Sequence, residues 1–393
     1  MAAFPSASLP SEGAQPQAAP VRVRVVTGPD AFAELATAWN ALHERSPSAS
    51  FVNAWIWQFE WWRAYGKGRP LRILVASRGD RIAGILPLYL DPTRRLGFPV
   101  TVARLVGSGG DTYPDDLGPV LDGEEEPAVA RALAEAALEL PEPDVLHLVD
   151  MDPATPFPAL LEQAARGAAG LETQRLAAER IVFIALPRTW EAYLASVSGH
   201  RRARIRSVRK KLTAEVPVRF FVWSDPARIN EAMDRLALLH RMRWEAAGEP
   251  SGSFASPEYI GFHRAVMETA LRRGALRLYC LEVSGEIVAM LYAYRFRNRV
   301  YVVQAGFDPE HARRRIGQAI LGYAIEHAIQ EGNEVFDFLR GAHSYKDELG
   351  SGARETQSVT VLQPCLAAAA WRLRERTLPQ LKRRLKALRK PAA

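Results

Sequence analysis

The chain has 393 residues, of which 48% are hydrophobic and 24% charged; this is typical of a globular protein long enough for two domains. Its two cysteines indicate neither a disulfide framework nor a cysteine-based metal site, and a reducing cytoplasm is the simplest setting. The net charge of +7 belongs to the C-terminus, because nine Lys or Arg residues and one acidic residue lie between Trp371 and Lys390.

The N-terminal half begins with a predicted flexible tail at residues 1–20, which hold five prolines or glycines and no apolar run typical of a signal peptide. An aromatic helix is predicted over Trp55–Tyr65, and Arg72–Leu86 has the pattern of a strand, a Gly-acidic turn and a second strand. The loop Gly107–Asp116 is long enough to line a cleft, and an Ala-rich helix is predicted over Glu124–Leu140.

The C-terminal half repeats this pattern. Residues Leu278–Tyr292 align without gaps with Arg72–Leu86, and an aromatic helix, Tyr259–Leu271, precedes them. A third strand is predicted over Val300–Phe307, followed by a helix with one apolar face that starts near Ile316 and stops at Gly332. A further strand follows at residues 335–339. We therefore predict two similar lobes.

The start of the helix near Ile316 is a candidate anion site. The sequence there is Arg314-Arg315-Ile316-Gly317-Gln318-Ala319. The first N–H groups of a helix lack intrahelical partners, and the helix dipole favours negative charge, so a pyrophosphate fits. The alternative is a solvated basic turn. The corresponding helix of the first half starts with Glu124, Glu125 and Glu126, which would repel a phosphate.

The motif resembles the acetyl-CoA signature Arg-x-x-Gly-x-Ala of the GNAT acyltransferases. The order Asp337, Gly341, Tyr345, Lys346 resembles more narrowly the BioF2-like or CelD-like branch, relatives of the FemAB aminoacyltransferases. The resemblance implies an α/β fold of two GNAT-like lobes, each a mixed, mostly antiparallel sheet flanked by helices, with a splayed pair of central strands. It places the lobes at 21–180 and 181–363, followed by a basic tail at 364–393.

The resemblance also implies the ligands and the residues that bind them. The donor is acetyl-CoA or another acyl-CoA, and the acceptor is an amine or a hydroxyl. Expected donor contacts are Val302, Val303, Arg314, Arg315, Gly317, Gln318 and Ala319. Expected acceptor contacts are Arg201 and Arg202 in the basic block His200–Lys211, for which the alternative is a polar linker helix. From the residues themselves we add Trp244 and Gln304, for which the alternatives are a core tryptophan and an outward polar position on a strand.

Transfer from a thioester needs a neutral nucleophile, a group that takes its proton, and stabilisation of negative charge. We predict Asp337, in a buried strand, as the base, because burial raises the pKa of a carboxyl group. The alternative is a structural carboxylate that holds the following loop. Tyr345 is predicted to donate to the departing thiolate and Lys346 to stabilise negative charge. No histidine has a metal partner at fixed spacing, so no metal is expected.

The basic segment Trp371–Lys390 has leucines at helical spacing. Such a helix binds an anionic membrane surface or docks on its own protein through the leucines. No segment approaches the ~18 consecutive apolar residues of a membrane span. A cytoplasmic protein, in contact with a membrane surface if the tail binds one, is therefore expected.

The sequence leaves three functions open. The first is an acyl-CoA-dependent N- or O-acyltransferase acting on a polysaccharide or cell-envelope precursor. The second is aminoacyl transfer from tRNA, which the pyrophosphate-binding motif disfavours, so a nucleic-acid partner is not expected. The third is a catalytically silent protein that binds a membrane or a nucleic acid through its basic tail.

Overall fold

The structure is a computed structural model that describes residues 19–123, 126–249, 252–341 and 344–378. The predicted N-terminal tail lies outside these ranges except for its last two residues, and so does the predicted basic tail after residue 378. The described residues form a mixed α/β fold built on one large sheet.

The sheet has 13 strands in the order β1-β2-β3-β4-β6-β13-β7-β12-β11-β10-β9-β8, and the short strand β5 pairs with β3. The strands are β1 Val21–Val26, β2 Leu71–Arg78, β3 Arg81–Arg95, β4 Phe98–Leu105, β5 Val120–Leu121, β6 Val145–Met151, β7 Glu172–Ala185, β8 Val218–Val222, β9 Leu276–Val283, β10 Glu286–Phe296, β11 Arg299–Phe307, β12 Val335–Asp337 and β13 Gly352–Leu362.

Helices cover both faces of the sheet. They are α1 Pro29–Glu34, α2 Ala36–Arg45, α3 Trp55–Tyr65, α4 Glu126–Leu138, α5 Phe157–Gly167, α6 Trp190–Ser196, α7 Gly199–Glu215, α8 Ile229–Ala246, α9 Pro257–Arg272, α10 Ile316–Gln330, α11 Ser344–Leu349 and α12 Leu366–Arg372.

The two halves of the sheet have the same pattern, which confirms the predicted fold class. In each half four antiparallel strands are followed by a parallel fifth, β6 beside β4 and β12 beside β11. The halves join where β13 pairs with β6 and β7, while β7 pairs in turn with β12. The predicted division at 180/181 falls inside β7, so the position of the domain boundary stays a prediction.

The repeated hairpins are one residue out of the predicted register. In the structure the two-residue turn of the first hairpin is Gly79-Asp80 and that of the second is Ser284-Gly285, so Gly79 is equivalent to Ser284. The gapless alignment had instead matched Gly79 with Gly285. The first turn has a positive φ at Gly79 alone and the second at both Ser284 and Gly285, so glycine takes a different place in each. Both hairpins skip a residue at equivalent positions, Ala83 and Val288, which supports the duplication.

The core has two main parts, one on each face of the C-terminal half of the sheet. Alternate residues of β9 show this, because Leu278 belongs to the part that includes α3, α8 and α9, whereas Tyr279 belongs to the part that includes α7 and α10. The aromatic helix α3 packs against α9, where Trp57 contacts Phe262 edge to face. Trp61 is fully buried. The tryptophans of α3 therefore help to join the halves.

The described start of the predicted basic tail is part of the fold. Trp371 is 2% exposed and packs with Val100, Val102 and Val145. Arg372 pairs with Glu172. Within the described ranges, no helix is long and apolar enough to cross a membrane.

Candidate functional site

Strands β11 and β12 separate shortly after they meet. They pair only from Arg299 to Tyr301, opposite Val335 to Asp337. A bulge follows at once in β11, because Tyr292 pairs with Gln304 and Ala293 with Val302, which leaves Val303 without an opposite residue. Residues 302–307 therefore have a strand partner on one side only, and a cleft opens on the other. This is the splayed pair of strands that the family resemblance implied.

The first cavity, of about 340 Å³, lies between α7, β11 and the start of α10. We call it the donor-side cavity. Its walls combine apolar side chains from β11 and α10 with arginines from α7, α8 and the turn before α10. The residues used below are Arg201, Arg204, Arg243, Val302, Ala305, Phe307, Arg315, Gly317, Gln318, Phe338, Tyr345 and Glu348.

The start of α10 presents unpaired amides to this cavity. Arg315, the residue before the helix, is left-handed (φ 53°, ψ 42°), and no side chain caps the helix. Among the described residues, the N–H groups of Ile316 and Gly317 have no hydrogen-bond acceptor. A Cβ at Gly317 would lie 3.3 Å from the ring of Phe307, so glycine avoids a tight contact at this end of the cavity. This end of the helix is suited to an anion.

The second cavity, of about 290 Å³, lies between the N-terminal loop Gly107–Asp116 and the C-terminal half, and we call it the acceptor-side cavity. Aromatic side chains make up much of its wall. Those that line it are Phe51, Trp57, Tyr113, Trp244, Tyr259, Tyr294, Tyr301, Phe338 and Tyr345. The loop therefore lines a cleft, as the sequence indicated.

The two cavities meet at the gap between β11 and β12. Five residues line both of them: Arg243, Val302, Ala305, Phe338 and Tyr345. Arg243 is fixed there by a hydrogen bond from its Nη1 to the carbonyl oxygen of Ala305 (3.1 Å). The two cavities are therefore adjacent, and these five residues form the boundary between them.

A family model described as the acetyltransferase (GNAT) domain matches residues 199–347, which include α7, β11, the start of α10 and Tyr345. We refer to residues 199–347, over which this model matches, as the GNAT domain. The resemblance predicted from Arg-x-x-Gly-x-Ala is thereby confirmed, whereas the narrower likeness to the BioF2-like or CelD-like branch stays a prediction.

Comparison with solved structures extends the likeness in fold to 86% of the chain. A structure described as FemX aligns with a TM-score of 0.60 at 11% identity and covers 86% of this chain and 97% of that one. A conserved protein of unknown function from Bacteroides thetaiotaomicron aligns with a TM-score of 0.53 at 15% identity, covering 86% and 100%. At such identities the likeness concerns the fold alone. No curated protein sequence matches the chain.

The GNAT domain brings together four of the seven predicted donor contacts, since Val302, Arg315, Gly317 and Gln318 line the donor-side cavity. The other three lie elsewhere. Arg314 does not line either cavity, and its Nε lies 3.4 Å from Glu215. Ala319 is fully buried in the core, and Val303 lines the acceptor-side cavity. The motif thus lies at the donor-side cavity, but its neighbouring residues face the cavity, the surface or the core.

The predicted acceptor contacts also divide between the cavities. Arg201 lines the donor-side cavity together with Arg204, which pairs with Glu348. Arg202 lines neither cavity, and its Nη1 donates to the carbonyl oxygen of Leu194 (3.2 Å). The basic block is therefore part of the helix α7, which borders the donor-side cavity and not the acceptor-side cavity where contacts were expected.

Gln304 and Trp244 do line the acceptor-side cavity. The amide Nε2 of Gln304 donates to the hydroxyl of Tyr259 at 3.2 Å. The Nε1 of Trp244 donates to Nε2 of His240 at 2.9 Å. Gln304 is thus oriented by a hydrogen bond with α9, and Trp244 by one within its own helix, α8.

Asp337 lies away from both cavities, contrary to its predicted place beside the acceptor. It is fully buried. Its Oδ1 accepts the N–H of Leu339 (2.8 Å), and its Oδ2 lies 3.2 Å from Arg299 and from Arg354. The geometry matches the alternative from the sequence, a carboxylate that holds the following loop. The reason is that Arg299, Arg354 and the N–H of Leu339 hold both carboxylate oxygens inside the protein, away from the cleft.

Lys346 holds the same loop. Its ammonium group donates to three carbonyl oxygens, those of Phe338 (2.9 Å), Leu339 (3.0 Å) and Arg340 (2.5 Å), and the residue is 5% exposed. Burial lowers its pKa to about 8. Since all three N–H groups are occupied, Lys346 orders residues 338–340, whereas the sequence suggested a group that stabilises charge on the reactants.

Two ion pairs attach the N-terminal loop to the C-terminal half, one at the loop after β12 and one at β13. Asp115 accepts from the N–H (2.7 Å) and Nε (2.9 Å) of Arg340, and Asp116 pairs with both terminal nitrogens of Arg354. Burial raises the pKa of Asp115 to about 6 and that of Asp116 to about 7 despite these partners. The first half thus shapes the acceptor-side cavity by fixed contacts.

Tyr345 is the one predicted catalytic residue that borders both cavities. Burial raises the pKa of its hydroxyl above the usual value, so the phenol stays neutral and remains a proton donor. Its ring also lies edge-on to Phe338. It therefore stands where a group passing between the cavities would travel.

Sequence reasoning missed Arg243, Arg340 and Arg354 as site residues. Arg243 directly precedes Trp244, which was predicted, but a single arginine on an amphipathic helix carries no signal of its own. The other two depend on carboxylates more than 200 positions away in the chain. Among the described residues, no group of three or more His, Cys, Asp or Glu side chains is arranged to hold a metal ion.

Proposed function

We propose that this protein is an acyltransferase that passes an acyl group directly from an acyl-CoA to an amine or hydroxyl acceptor. One observation carries the proposal: two cavities of similar size meet at the splayed strands and share the wall that contains Tyr345. Two substrates whose reactive groups meet at this shared boundary would exchange the acyl group directly, without a covalent enzyme intermediate.

Three features support a CoA thioester as the donor. The amides of Ile316 and Gly317 and the side chain of Arg315 suit a diphosphate. Arg201 adds a second cation to the same cavity. The apolar remainder of the wall, between β11 and α10, suits the uncharged arm that would carry the thioester towards the gap.

The reaction at the gap requires one new bond and one broken bond. The acceptor nitrogen or oxygen attacks the thioester carbonyl and loses a proton, and the carbon–sulfur bond breaks. The edge of β11 that lacks a strand partner offers backbone N–H groups to the oxygen on which charge develops. Tyr345, as a neutral phenol, gives a proton to the departing thiolate, and the proton that the acceptor loses returns through water to the Tyr345 oxygen, so the phenol is restored.

The acceptor side supports a molecule with a flat or ring-shaped part, because aromatic faces make up much of that wall. The acceptor that we propose is a polysaccharide or cell-envelope precursor, as the resemblance implies. This choice of acceptor rests on the likeness to a family branch.

The proposal is tested by calorimetric titration of the parent protein and of the variant Gly317→Glu with CoA and with acetyl-CoA. The new carboxylate would stand among the amides that bind the diphosphate, while a negative charge in the first turn of a helix leaves the helix stable. The control is Gly261→Glu, since Gly261 is exposed on α9 and a Cβ there meets no atom within 4 Å. We expect loss of binding in the first variant only, with similar melting temperatures.

Equal affinity of both variants for CoA would refute the assigned donor site. The aminoacyl-transfer alternative would be favoured by two results together. The parent protein would not bind CoA, and it would bind aminoacyl-tRNA that tRNA without an amino acid does not displace. Deacylated tRNA is the matched competitor because it shares the backbone charge and lacks the transferable group.

A further inference from the structure

A pair of apolar side chains projects from the hairpin between β3 and β4. Leu96 and Phe98 are 48% and 45% exposed. Leu96 and Gly97 have positive φ values of 49° and 86°, so the turn is tight. Large apolar residues at the tip of a hairpin contribute nothing to the core, and exposing them is unfavourable in water.

The C-terminal helix lies beside this tip. The Nε of Arg95 donates to Oε1 of Glu375 at 2.6 Å, which joins the hairpin to the turn after α12. Leu366 is 75% and Leu373 42% exposed, and residues seven apart lie on one face of a helix. We call residues 94–98 and 366–376 together the tip–tail surface. It combines four exposed apolar side chains from two elements.

The charges on this surface are mainly positive. Five arginines belong to it, and the carboxylates in contact with them are Glu375 and Glu172. In the part of the chain that the structure describes, Arg94 and Arg374 have no carboxylate partner. The sequence then continues from residue 379 to 393 with six more Lys or Arg residues and no acidic one.

We propose that the tip–tail surface binds the anionic face of a phospholipid bilayer. Arginines attract acidic headgroups, while Leu96, Phe98 and Leu373 enter the boundary with the acyl chains. A nucleic acid would satisfy the charges but would leave the leucines in water. Since no described helix can cross a bilayer, the contact is peripheral. It does not depend on the proposed acyl transfer.

The test is sedimentation of the full chain with vesicles of equal parts phosphatidylglycerol and phosphatidylcholine, against pure phosphatidylcholine. The key variant is Leu96→Ser with Phe98→Ser, which changes only exposed positions. Its control is Leu176→Ser, at a residue that is 52% exposed on β7. Circular dichroism confirms that each variant is folded.

We expect binding to the anionic vesicles only, a decrease of about tenfold or more in the tip variant, and no change in the control. Arg94→Gln should weaken binding about fivefold, and added salt should weaken it further. The proposal is overturned if the parent protein does not sediment with anionic vesicles. It is equally overturned if the tip variant binds them as well as the control does, or if RNA binds more tightly than the vesicles and the tip variant retains that affinity.

Discussion

The adjacent arginines before α10 give the sharpest test of the donor site, because they carry the same charge and occupy different surroundings. We consider Arg315→Asn against Arg314→Asn. Asparagine tolerates the left-handed backbone that Arg315 adopts, so the turn should persist. Arg314 is paired with Glu215 and lines neither cavity.

The expected loss follows from the contacts. A hydrogen bond to a charged group contributes roughly 1.5–3 kcal/mol, and the exposed position of Arg315 places it at the low end because solvent screens the charge. Affinity for CoA should therefore fall about tenfold. The helix amides remain, so binding should weaken without vanishing. Arg314→Asn should change the affinity by less than about twofold at physiological salt.

Calorimetric titration with CoA measures both variants, and thermal melting checks that both are folded. An equal decrease in the two proteins would mean that CoA responds only to the overall positive charge near α10. A larger decrease for Arg314→Asn would refute the geometry of the site as described.

Three further changes test packing and charge. Gly306→Ala should destabilise the protein by about 2–4 kcal/mol in urea unfolding, because its Cβ would lie 2.4 Å from the backbone N of His240; Gly261→Ala, on an open helix face, should be neutral or stabilising. Lys346→Met should lower the free energy of unfolding by about 3 kcal/mol or more, since three buried carbonyl oxygens lose their donors. Burial lowers the pKa of His263 to about 3, so between pH 6.5 and 3 the unfolded state binds a proton that the folded state does not, and stability falls as the pH falls. His263→Phe should remove about 2 kcal/mol of that loss at pH 5, measured by urea unfolding at pH 5 and pH 7.

Elements with a strong local signal were predictable from the sequence. The helix predicted from Ile316 to Gly332 is α10, and Gly332 has the left-handed conformation expected after a helix (φ 74°). The aromatic helix Trp55–Tyr65 has the predicted bounds. In both cases apolar periodicity and a terminating residue lie within one short stretch of the chain.

Side-chain roles were harder to predict because they depend on distant partners. A motif places Asp337 and Lys346 near the site, but only the fold shows that Arg354 and Arg299 hold the first and that carbonyl oxygens surround the second. The one-residue error in aligning the hairpins has a similar origin. Glycine was taken as the marker of the turn, whereas the φ values of each turn decide where glycine stands.

Each half needs a strand from the other to complete its part of the sheet, because β13 pairs with β6 and β7 pairs with β12. A fragment cut at the limits of the GNAT match, 199–347, would lack both strands and leave β12 with an open edge. During synthesis, β6 and β7 leave the ribosome well before β13 exists to bridge them, so the sheet is completed only when nearly the whole chain is available. Neither half is therefore an independent experimental module, and a stop codon shortly before residue 352 should be as damaging as a lesion in the cleft between β11 and β12.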